Sequence, residues 1–480
     1  VIGIGVDFTS STMLPTKSDG TPLCFLPEWR DHPHAWVKLW KHHAAQPEAN
    51  KINQIAGACG YGEILDRYGG KVSSEWFFPK AWQILTEDPA VYAAAERLIE
   101  AADWVVWQLT GLETRSSCTA GYKALWSKTD GFPASTFFKA IDPGLEHIVD
   151  EKMKREILPL GAKAGEINEQ AAEWTGLNPG TAVAVANEDD HVAVPAATVT
   201  DAGRAVMIMG TSICHMVVSE TEEFIPGICG VVMDGILPGL YGYEAGQSCV
   251  GDHFQWFVET CVPEKYEFEA IEKGCNIHEL LEEKAAKQKP GESGLLALDW
   301  WNGNRSVLVD GDLTGMILGM TLQTKPEEIY RALIEATAFG TRMIIENFNQ
   351  FNVPIGELIA TGGLPDRNKL LMQIYADVTG LPIYIPEANQ IGALGSAMHG
   401  AVAAGSAKGG YDSISDAAAR MTRLRTESYR PIPENKAIYD RLFAEYVTLH
   451  DYFGRGDNNV MKLLKELKSK VTAQRRPRYA

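Results

Sequence analysis

The sequence predicts an α/β protein of two domains, and three observations point to this fold class. Its 480 residues exceed what one hydrophobic core usually supports. Apolar segments of strand length, over residues 1–6 and 181–186, stand apart from long stretches of helical character. Residues 358–385 follow the order strand, turn, helix, strand, which implies a parallel pair of strands.

The chain opens on a strand, Val1–Val6, that is apolar on both faces. Such a segment is typical of a central strand in a covered sheet. Because a central strand needs a neighbour on each side, we expect earlier strands to be missing from this sequence. Residues 27–130 are predicted to be largely helical. The next apolar strand, residues 181–186, ends at the polar residues 187–191.

The second half contains a predicted hairpin and a predicted βαβ unit. The hairpin joins strands 205–209 and 213–219 through Gly210-Thr211-Ser212. For the βαβ unit we expect a strand at 358–361, a turn at 362–365, a helix at 368–378 closed by Gly380, and a strand at 382–385. The last predicted helix contains residues 438–453. We expect one domain over residues 1–198 and a second over 199–480 that ends in a helical tail.

Composition and charge exclude several functional classes. The net charge of −18 argues against a nucleic-acid partner, which would require a clustered basic surface. No apolar run approaches the ~18 residues of a membrane helix, so no membrane partner is expected. The eight cysteines are scattered, without a C-x-x-C pair, which indicates reduced thiols in a cytoplasmic protein.

Two glycine-containing turns are candidates for binding phosphate. Gly210-Thr211-Ser212 lies at the hairpin tip, where backbone amides and hydroxyls can approach an anion. Gly362-Gly363 lies between a strand and a helix, another place where a nucleotide can approach the backbone. An ordinary turn and tight strand–helix packing are the respective alternatives. Neither turn fits the Rossmann or P-loop pattern.

Asp189 follows an apolar strand, a position from which a carboxylate can act as a catalytic base. Glu188, Asp190 and His191 crowd it, so the spacing alone cannot select the base. An acidic cluster at a helix N-terminus is the alternative interpretation.

Taken together and in this order, these motifs resemble the FGGY family of carbohydrate kinases over nearly the whole chain. The resemblance is carried by residues 210–216, 243–248, 299–305, 315–319, 330–336 and 362–365. Within the family, Trp300-Trp301-Asn302-Gly303 and Gly362-Gly363-Leu364-Pro365 favour the branch that phosphorylates L-ribulose over glycerol or xylulose kinases.

The resemblance implies two actin-like, ribonuclease-H-like domains with a central cleft, the first one truncated. Residues 1–198 would bind the sugar and residues 199–480 the nucleotide. The implied reaction converts L-ribulose to L-ribulose 5-phosphate in L-arabinose catabolism, with ATP and Mg²⁺ as cofactors. A kinase for another ketopentose such as xylulose, or a truncated sugar-binding protein without activity, stays as an alternative.

The resemblance also assigns site residues. Asp189 matches the catalytic base. The matched sugar contacts are Asp189 itself, the backbone amide of Ser10, and the side chains of Trp40, Lys123 and Glu244. The matched nucleotide contacts are Gly210, Thr211, Ser212, Gly362, Gly363 and Asn368. No magnesium ligand can be named from the sequence, and a homodimer is left open.

The chain departs from the family pattern at its start. The family begins with a strand and an Asp-x-Gly-Thr phosphate loop. Asp7-Phe8-Thr9-Ser10 lacks the glycine and corresponds instead to the later strand that contacts the sugar. We therefore expect the first phosphate loop to be absent, and with it ATP-dependent turnover, while weak binding of L-ribulose is retained.

Overall fold

A computed structural model describes residues 1–153 and 156–475 of the chain. They form two compact units. The first contains residues 1–204, 216–244 and 386–424, and the second contains residues 205–215, 245–385 and the chain from residue 425 onward. Along the chain, the first change from one unit to the other comes after residue 204, close to the expected boundary after residue 198. Neither unit is continuous in sequence, however, because the chain passes from one to the other within several strands.

The strands of the described residues, numbered along the chain, are β1 (Gly3–Ile4), β2 (Asp7–Phe8), β3 (Met13–Thr16), β4 (Arg97–Glu100), β5 (Lys163–Glu166), β6 (Ala182–Ala184), β7 (Asn187–Glu188), β8 (Arg204–Met209), β9 (Ile213–Ser219), β10 (Gly230–Met233), β11 (Tyr241–Gln247), β12 (Leu296–Leu298), β13 (Met316–Leu318), β14 (Glu357–Thr361), β15 (Ile383–Pro386) and β16 (Leu424–Tyr429).

The α-helices are α1 (Gln46–Ala58), α2 (Gly62–Asp66), α3 (Phe77–Glu87), α4 (Pro89–Ala94), α5 (Ala101–Thr110), α6 (Ser117–Lys123), α7 (Ser135–Ile141), α8 (Ile148–Lys152), α9 (Glu169–Thr175), α10 (Asp189–Ala196), α11 (Gly251–Cys261), α12 (Glu264–Lys273), α13 (Ile277–Ala285), α14 (Pro326–Gln350), α15 (Gly363–Arg367), α16 (Lys369–Thr379), α17 (Ile391–Ala404), α18 (Ile414–Met421), α19 (Pro433–Gly454) and α20 (Val460–Arg475). Short 3₁₀ helices cover Leu23–Phe25, Pro33–Ala35, Pro143–Leu145 and Ser406–Lys408. No helix in the described part of the chain is long and apolar enough to cross a membrane.

In the first unit, strand β1 lies at the edge of a three-stranded sheet of order β1-β6-β5. Among the described residues of this chain the strand has a neighbour on one side only, and a central strand with earlier neighbours stays a prediction. Helix α17 packs against β1. The two backbones touch so closely that a Cβ on Gly3 would lie 2.0 Å from the carbonyl oxygen of Gly400. This close approach requires a glycine on the strand.

Strands β2 and β7 form a separate parallel pair in the first unit, with Asp7 opposite Asn187 and Phe8 opposite Glu188. Helix α10 begins at Asp189, directly after β7. The carboxyl end of a parallel strand is where open α/β sheets bind ligands. Asp189 thus stands at a position of this kind, as the sequence predicts.

The predicted helical region is mostly helical, although strand β4 interrupts it. Its core is aromatic, with Phe77, Phe78, Phe137 and Phe138 almost completely buried. The ring centroids of Phe78 and Phe138 are 4.7 Å apart, within the range of favourable aromatic contacts. This core holds α3 in place, and α3 carries a lysine that approaches two of the predicted sugar contacts.

A seven-stranded sheet has the order β10-β11-β9-β8-β14-β15-β16. Strand β14 belongs to the second unit and β10 to the first, and the other five strands are divided between the two. The predicted hairpin is confirmed as β8 and β9, which are neighbours joined by residues 210–212. The predicted parallel pair is confirmed as β14 and β15, with Leu358 opposite Ile383. Helix α16 between them ends, as predicted, at Gly380, whose φ of 71° lies in the left-handed region.

Candidate active site

Lys123 and Glu244 form a buried ion pair in the first unit. Lys123 Nζ donates to Glu244 Oε2 over 2.6 Å. The side chains are 7% and 5% exposed, so water screens their attraction little. The resemblance assigned both residues to sugar binding, and the structure brings them into direct contact although 121 positions separate them in sequence.

Helix α6, which ends at Lys123, is held by hydrogen bonds along its length. The Ser117 hydroxyl donates to the Asp234 carbonyl oxygen over 2.7 Å, and the Tyr68 hydroxyl donates to the Gly121 carbonyl oxygen over 2.7 Å. Glu244 lies on β11, opposite Gly230 of β10. Because these contacts are buried, the positions of the two charged groups are set by the packing of α6 and of the β10–β11 pair.

Two further ionisable side chains extend this pair into a buried cluster. His191 Nε2 lies 3.6 Å from Glu244 Oε2, and His191 Nδ1 lies 3.2 Å from Glu188 Oε2. Within the described residues, neither nitrogen of His191 and neither carboxylate oxygen of Glu188 makes a hydrogen bond of good geometry. Glu188 therefore carries polar atoms that are buried without full compensation.

Burial and neighbouring charges decide the protonation states of the cluster. Burial opposes a charge on Lys123, but the adjacent Glu244 carboxylate outweighs it and raises the pKa of Lys123. Burial raises the pKa of Glu188 far above its ordinary range, and the Glu244 charge adds to that effect. Burial lowers the pKa of His191 to about 3. At neutral pH the cluster thus holds one ion pair beside a protonated Glu188 and a neutral His191.

Asp189 differs from its neighbours because its side chain is exposed, whereas Glu188 and His191 are buried. Asp189 Oδ1 accepts a hydrogen bond from the Asp190 amide over 3.1 Å. The surrounding protein raises the pKa of Asp189 to about 7, and the negative charges of Asp190 and Asp7 contribute. Of the residues that the spacing left open as the base, Asp189 combines accessibility with a pKa suited to proton transfer near neutral pH.

The segments that carry Ser10 and Trp40 pair with each other. The Met13 amide donates to the Lys38 carbonyl oxygen over 3.1 Å, and the Lys38 amide donates back to the Met13 carbonyl oxygen over 2.7 Å. Trp40 leaves 44% of its surface exposed, so its ring is available to a ligand. All five predicted sugar contacts belong to the first unit.

The predicted nucleotide contacts all belong to the second unit. Gly362 has a φ of 99°, and a Cβ there would lie 2.4 Å from the carbonyl oxygen of Met209, the residue that precedes Gly210. The two glycine turns are therefore adjacent. Thr211 is exposed at the hairpin tip, and Gly363 is exposed at the first turn of α15. This arrangement leaves backbone groups of both turns accessible to an anion.

Asn368 lies 7% exposed at the start of α16, where its Oδ1 accepts a hydrogen bond from the Leu371 amide over 2.7 Å. This contact is a helix cap. The side chain is thus already engaged in holding α16, and a direct contact with nucleotide stays a prediction.

The sequence is similar to known proteins along nearly its whole length. Residues 205–404 match the model of the FGGY family of carbohydrate kinases, C-terminal domain. The ribulokinase of Halalkalibacterium halodurans is 60% identical over 469 residues, which cover 98% of this chain and 83% of that protein. The chain belongs to the FGGY family of carbohydrate kinases. A ribulokinase of Mycolicibacterium smegmatis is 52% identical over 477 residues, which cover 99% of this chain and 83% of that relative.

Solved structures of FGGY kinases and related enzymes share the fold. A xylulose kinase from Rhodospirillum rubrum superposes with a TM-score of 0.72 at 22% identity, covering 87% of this chain and 80% of that one. Plasmodium falciparum glycerol kinase with ADP gives a TM-score of 0.74 at 15% identity, covering 93% and 83% respectively. The predicted actin-like α/β fold is thereby confirmed, and the chain is an ATP-dependent carbohydrate kinase.

Two features of this FGGY kinase site have no signal in the sequence. The Cys118 thiol lies within 4.8 Å of ligand atoms of Glu188 and His191, and this buried trio is the group of possible metal ligands found among the described residues. Gly251 begins α11 beside the Gly210-Thr211-Ser212 turn, and its amide donates to the Gly210 carbonyl oxygen over 3.0 Å. Both contacts join residues that lie far apart in the chain, so local patterns could not reveal them.

The donor sets of the described residues differ in how well they would suit a magnesium ion. Magnesium prefers oxygen ligands, so the thiol and imidazole of the Cys118 trio do not suit it. The carboxylate of Asp7 offers oxygen ligands and suits it better. This carboxylate lies close to the backbone of α17, with Oδ2 2.9 Å from where a Cβ on Gly392 would stand.

The uncompensated carboxyl of Glu188 should make stability depend on pH. Because its pKa is raised on folding, the stability that it contributes is full below its ordinary pKa of 4.5 and declines as the pH rises toward the folded value. At pH 5 we expect Glu188→Gln and the unmodified chain to have similar free energies of unfolding. At pH 8 the free energy of unfolding of the variant should be higher by about 1–3 kcal/mol. Thermal unfolding at the two pH values measures the difference.

The exposed residue Glu173 provides a matched control, since Glu173→Gln makes the same chemical change at the surface. Its effect should be small at both pH values. An equal effect of Glu188→Gln at pH 5 and pH 8 would contradict the assignment of a protonated Glu188.

Proposed function

We propose that this kinase transfers the γ-phosphoryl group of ATP to the terminal hydroxyl of L-ribulose, giving L-ribulose 5-phosphate. The observation that carries the proposal is that the first unit holds both the buried Lys123–Glu244 pair and the accessible carboxylate of Asp189. The relative from Halalkalibacterium halodurans, 60% identical over 98% of the chain, is named a ribulokinase and supports this acceptor.

The predicted sugar contacts offer the groups that a polyhydroxy ketone needs. The Lys123 ammonium has three donors, one of which is used by Glu244, and a carboxylate such as that of Glu244 accepts hydrogen bonds from hydroxyls. Trp40 would cover an apolar face of the sugar, and the Ser10 amide would donate to an oxygen. A pocket of paired donors and acceptors rejects ligands that leave those groups unpaired.

In the proposed reaction, Asp189 accepts the proton of the sugar hydroxyl. The hydroxyl oxygen forms a bond to the γ-phosphorus, the bond from that phosphorus to its bridging oxygen breaks, and ADP leaves with the bridging oxygen. Burial raises the pKa of Glu188 well above its ordinary value and lowers the pKa of His191 to about 3, so both are poor alternatives for this role. The raised pKa of Asp189, about 7, matches a base that works near neutral pH.

The proposed nucleotide site lies on the two adjacent glycine turns of the second unit, where the Gly210–Ser212 and Gly362–Gly363 backbones would bind phosphate oxygens. In the first unit, Asp7 would offer oxygen ligands to a magnesium ion. When bound, this ion neutralises charge on the phosphates during transfer. The chain's own contribution is to bind the acceptor and to remove its proton.

Acceptor selectivity tests the proposed function. We expect titration calorimetry to show binding of L-ribulose, weaker binding of D-xylulose and no measurable binding of glycerol, because glycerol cannot satisfy both Lys123 and Glu244. ADP release, measured with ATP and Mg²⁺, should follow the same order wherever turnover is detected. Preference for glycerol or D-xylulose over L-ribulose would contradict the assignment of L-ribulose as the acceptor, while the assignment as a carbohydrate kinase would stand.

The role of Asp189 is tested separately by Asp189→Asn in a version of the chain that also carries the family's first strand and phosphate loop, because turnover is expected to require that loop. A general base contributes roughly 10²–10⁴-fold to the rate, so kcat should fall about a thousandfold while affinity for L-ribulose changes only a few-fold. In the protein that keeps Asp189, kcat should rise between pH 6 and pH 8 as the Asp189 carboxyl ionises. A variant that keeps a tenth of kcat would show that Asp189 is not the base.

A further inference from the structure

Lys80 is a lysine of α3 whose side chain is completely buried. Lysine is rarely buried without a specific partner, because removing its charge from water is costly. No signal in the sequence distinguishes it from other helical lysines. Its contacts therefore need an explanation beyond helix formation.

The Lys80 ammonium connects two separate loops. Its Nζ donates to the Ser11 carbonyl oxygen over 2.6 Å and to the Leu39 carbonyl oxygen over 2.9 Å. Ser11 follows Ser10, and Leu39 precedes Trp40. One side chain thus binds the backbone next to two of the predicted sugar contacts.

The backbone at Ser11 needs this support. Its φ of 55° lies in the left-handed region, which is uncommon for a residue other than glycine. Such conformations are strained and persist only where surrounding contacts fix them. The bond from Lys80 is one such contact, and it acts on the carbonyl of the unusual residue itself.

We propose that Lys80 is a positioning residue for the sugar, which fixes the Ser10 amide and the Trp40 ring relative to each other through the Ser11 and Leu39 carbonyl groups. This inference rests on the proposed function, because it assigns a purpose to the predicted contacts Ser10 and Trp40. Lys80 itself does not need to touch the sugar. Its loss would leave the Met13–Lys38 backbone pair to join the two loops, which would loosen them and weaken binding of the acceptor.

The test compares Lys80→Met with a matched control, Lys152→Met. Lys152 is also a buried lysine of the first unit that donates to a backbone carbonyl oxygen, that of Ala95 over 2.7 Å, but it adjoins none of the predicted contacts. We expect Lys80→Met to raise the Kd for L-ribulose at least tenfold and to leave the Kd for MgATP within twofold. Lys152→Met should change neither, although both variants lower the melting temperature.

Hydrogen exchange followed by mass spectrometry gives a second readout that does not depend on the acceptor. In Lys80→Met, peptides covering residues 10–13 and 36–41 should exchange faster than in the unmodified chain, because the paired amides of Met13 and Lys38 lose their support. The same peptides should be unaffected in Lys152→Met. Unchanged exchange in both peptides, or an unchanged Kd for L-ribulose, would overturn the proposal.

The outcomes separate this proposal from the proposed function. If the unmodified chain does not bind L-ribulose, the acceptor is wrong, and the exchange data alone decide whether Lys80 joins the two loops. If Lys80→Met does not fold, hydrogen exchange in the unmodified chain tests the proposal instead. Saturating L-ribulose should then slow hydrogen exchange in both peptides together. Slower exchange in one peptide without the other would contradict a shared support.

Discussion

The buried ion pair of Lys123 and Glu244 is the constraint on which the rest of the first unit depends. Two opposite charges so far from water are tolerated only when each has the other within hydrogen-bond distance. Removing one partner of such a pair typically costs 3–5 kcal/mol, because the remaining charge is left buried and unpaired. Helix α6 and strand β11 must therefore keep a fixed relation, which Tyr68 and Ser117 secure by binding the α6 region from two sides.

In the proposed reaction the two units would serve phosphoryl transfer by different physical means. The first presents side chains with defined protonation states: a charged pair at Lys123 and Glu244, and an accessible carboxylate at Asp189. The second presents backbone, at two glycine turns that touch between Gly362 and Met209. Side-chain pockets discriminate between acceptors that differ by a hydroxyl, whereas backbone amides recognise phosphate in any nucleotide. This division matches a specific acceptor and a common donor.

Local patterns predicted the elements whose contacts are close in sequence. The hairpin around Gly210-Thr211-Ser212 and the parallel unit closed by Gly380 were predicted from turn residues and apolar runs. The packing of β1 against α17 was not predicted, because the two elements lie about 400 positions apart in the chain. The chain segments that make up each unit were not predicted either, since the boundaries between the units fall inside strands.

The candidate site shows the same contrast. The position of Asp189 after a strand could be read from the sequence, but the choice between it and Glu188 required the burial of each side chain. Lys123, Glu244 and Trp40 entered by resemblance to a family, not from spacing. Lys80 and Cys118 could not be found, because their partners lie tens of residues away and a buried lysine or cysteine has no local signature.

A double-mutant cycle on sugar binding tests the central claim most directly, with Lys123→Met, Glu244→Gln and the double variant titrated with L-ribulose. If the pair forms one binding element, each single variant should lose at least tenfold in affinity, and the double variant should lose less than the product of the two single losses. The expected coupling is about 1 kcal/mol or more. Losses that multiply without coupling, or single variants that bind L-ribulose as tightly as the unmodified chain, would contradict the account.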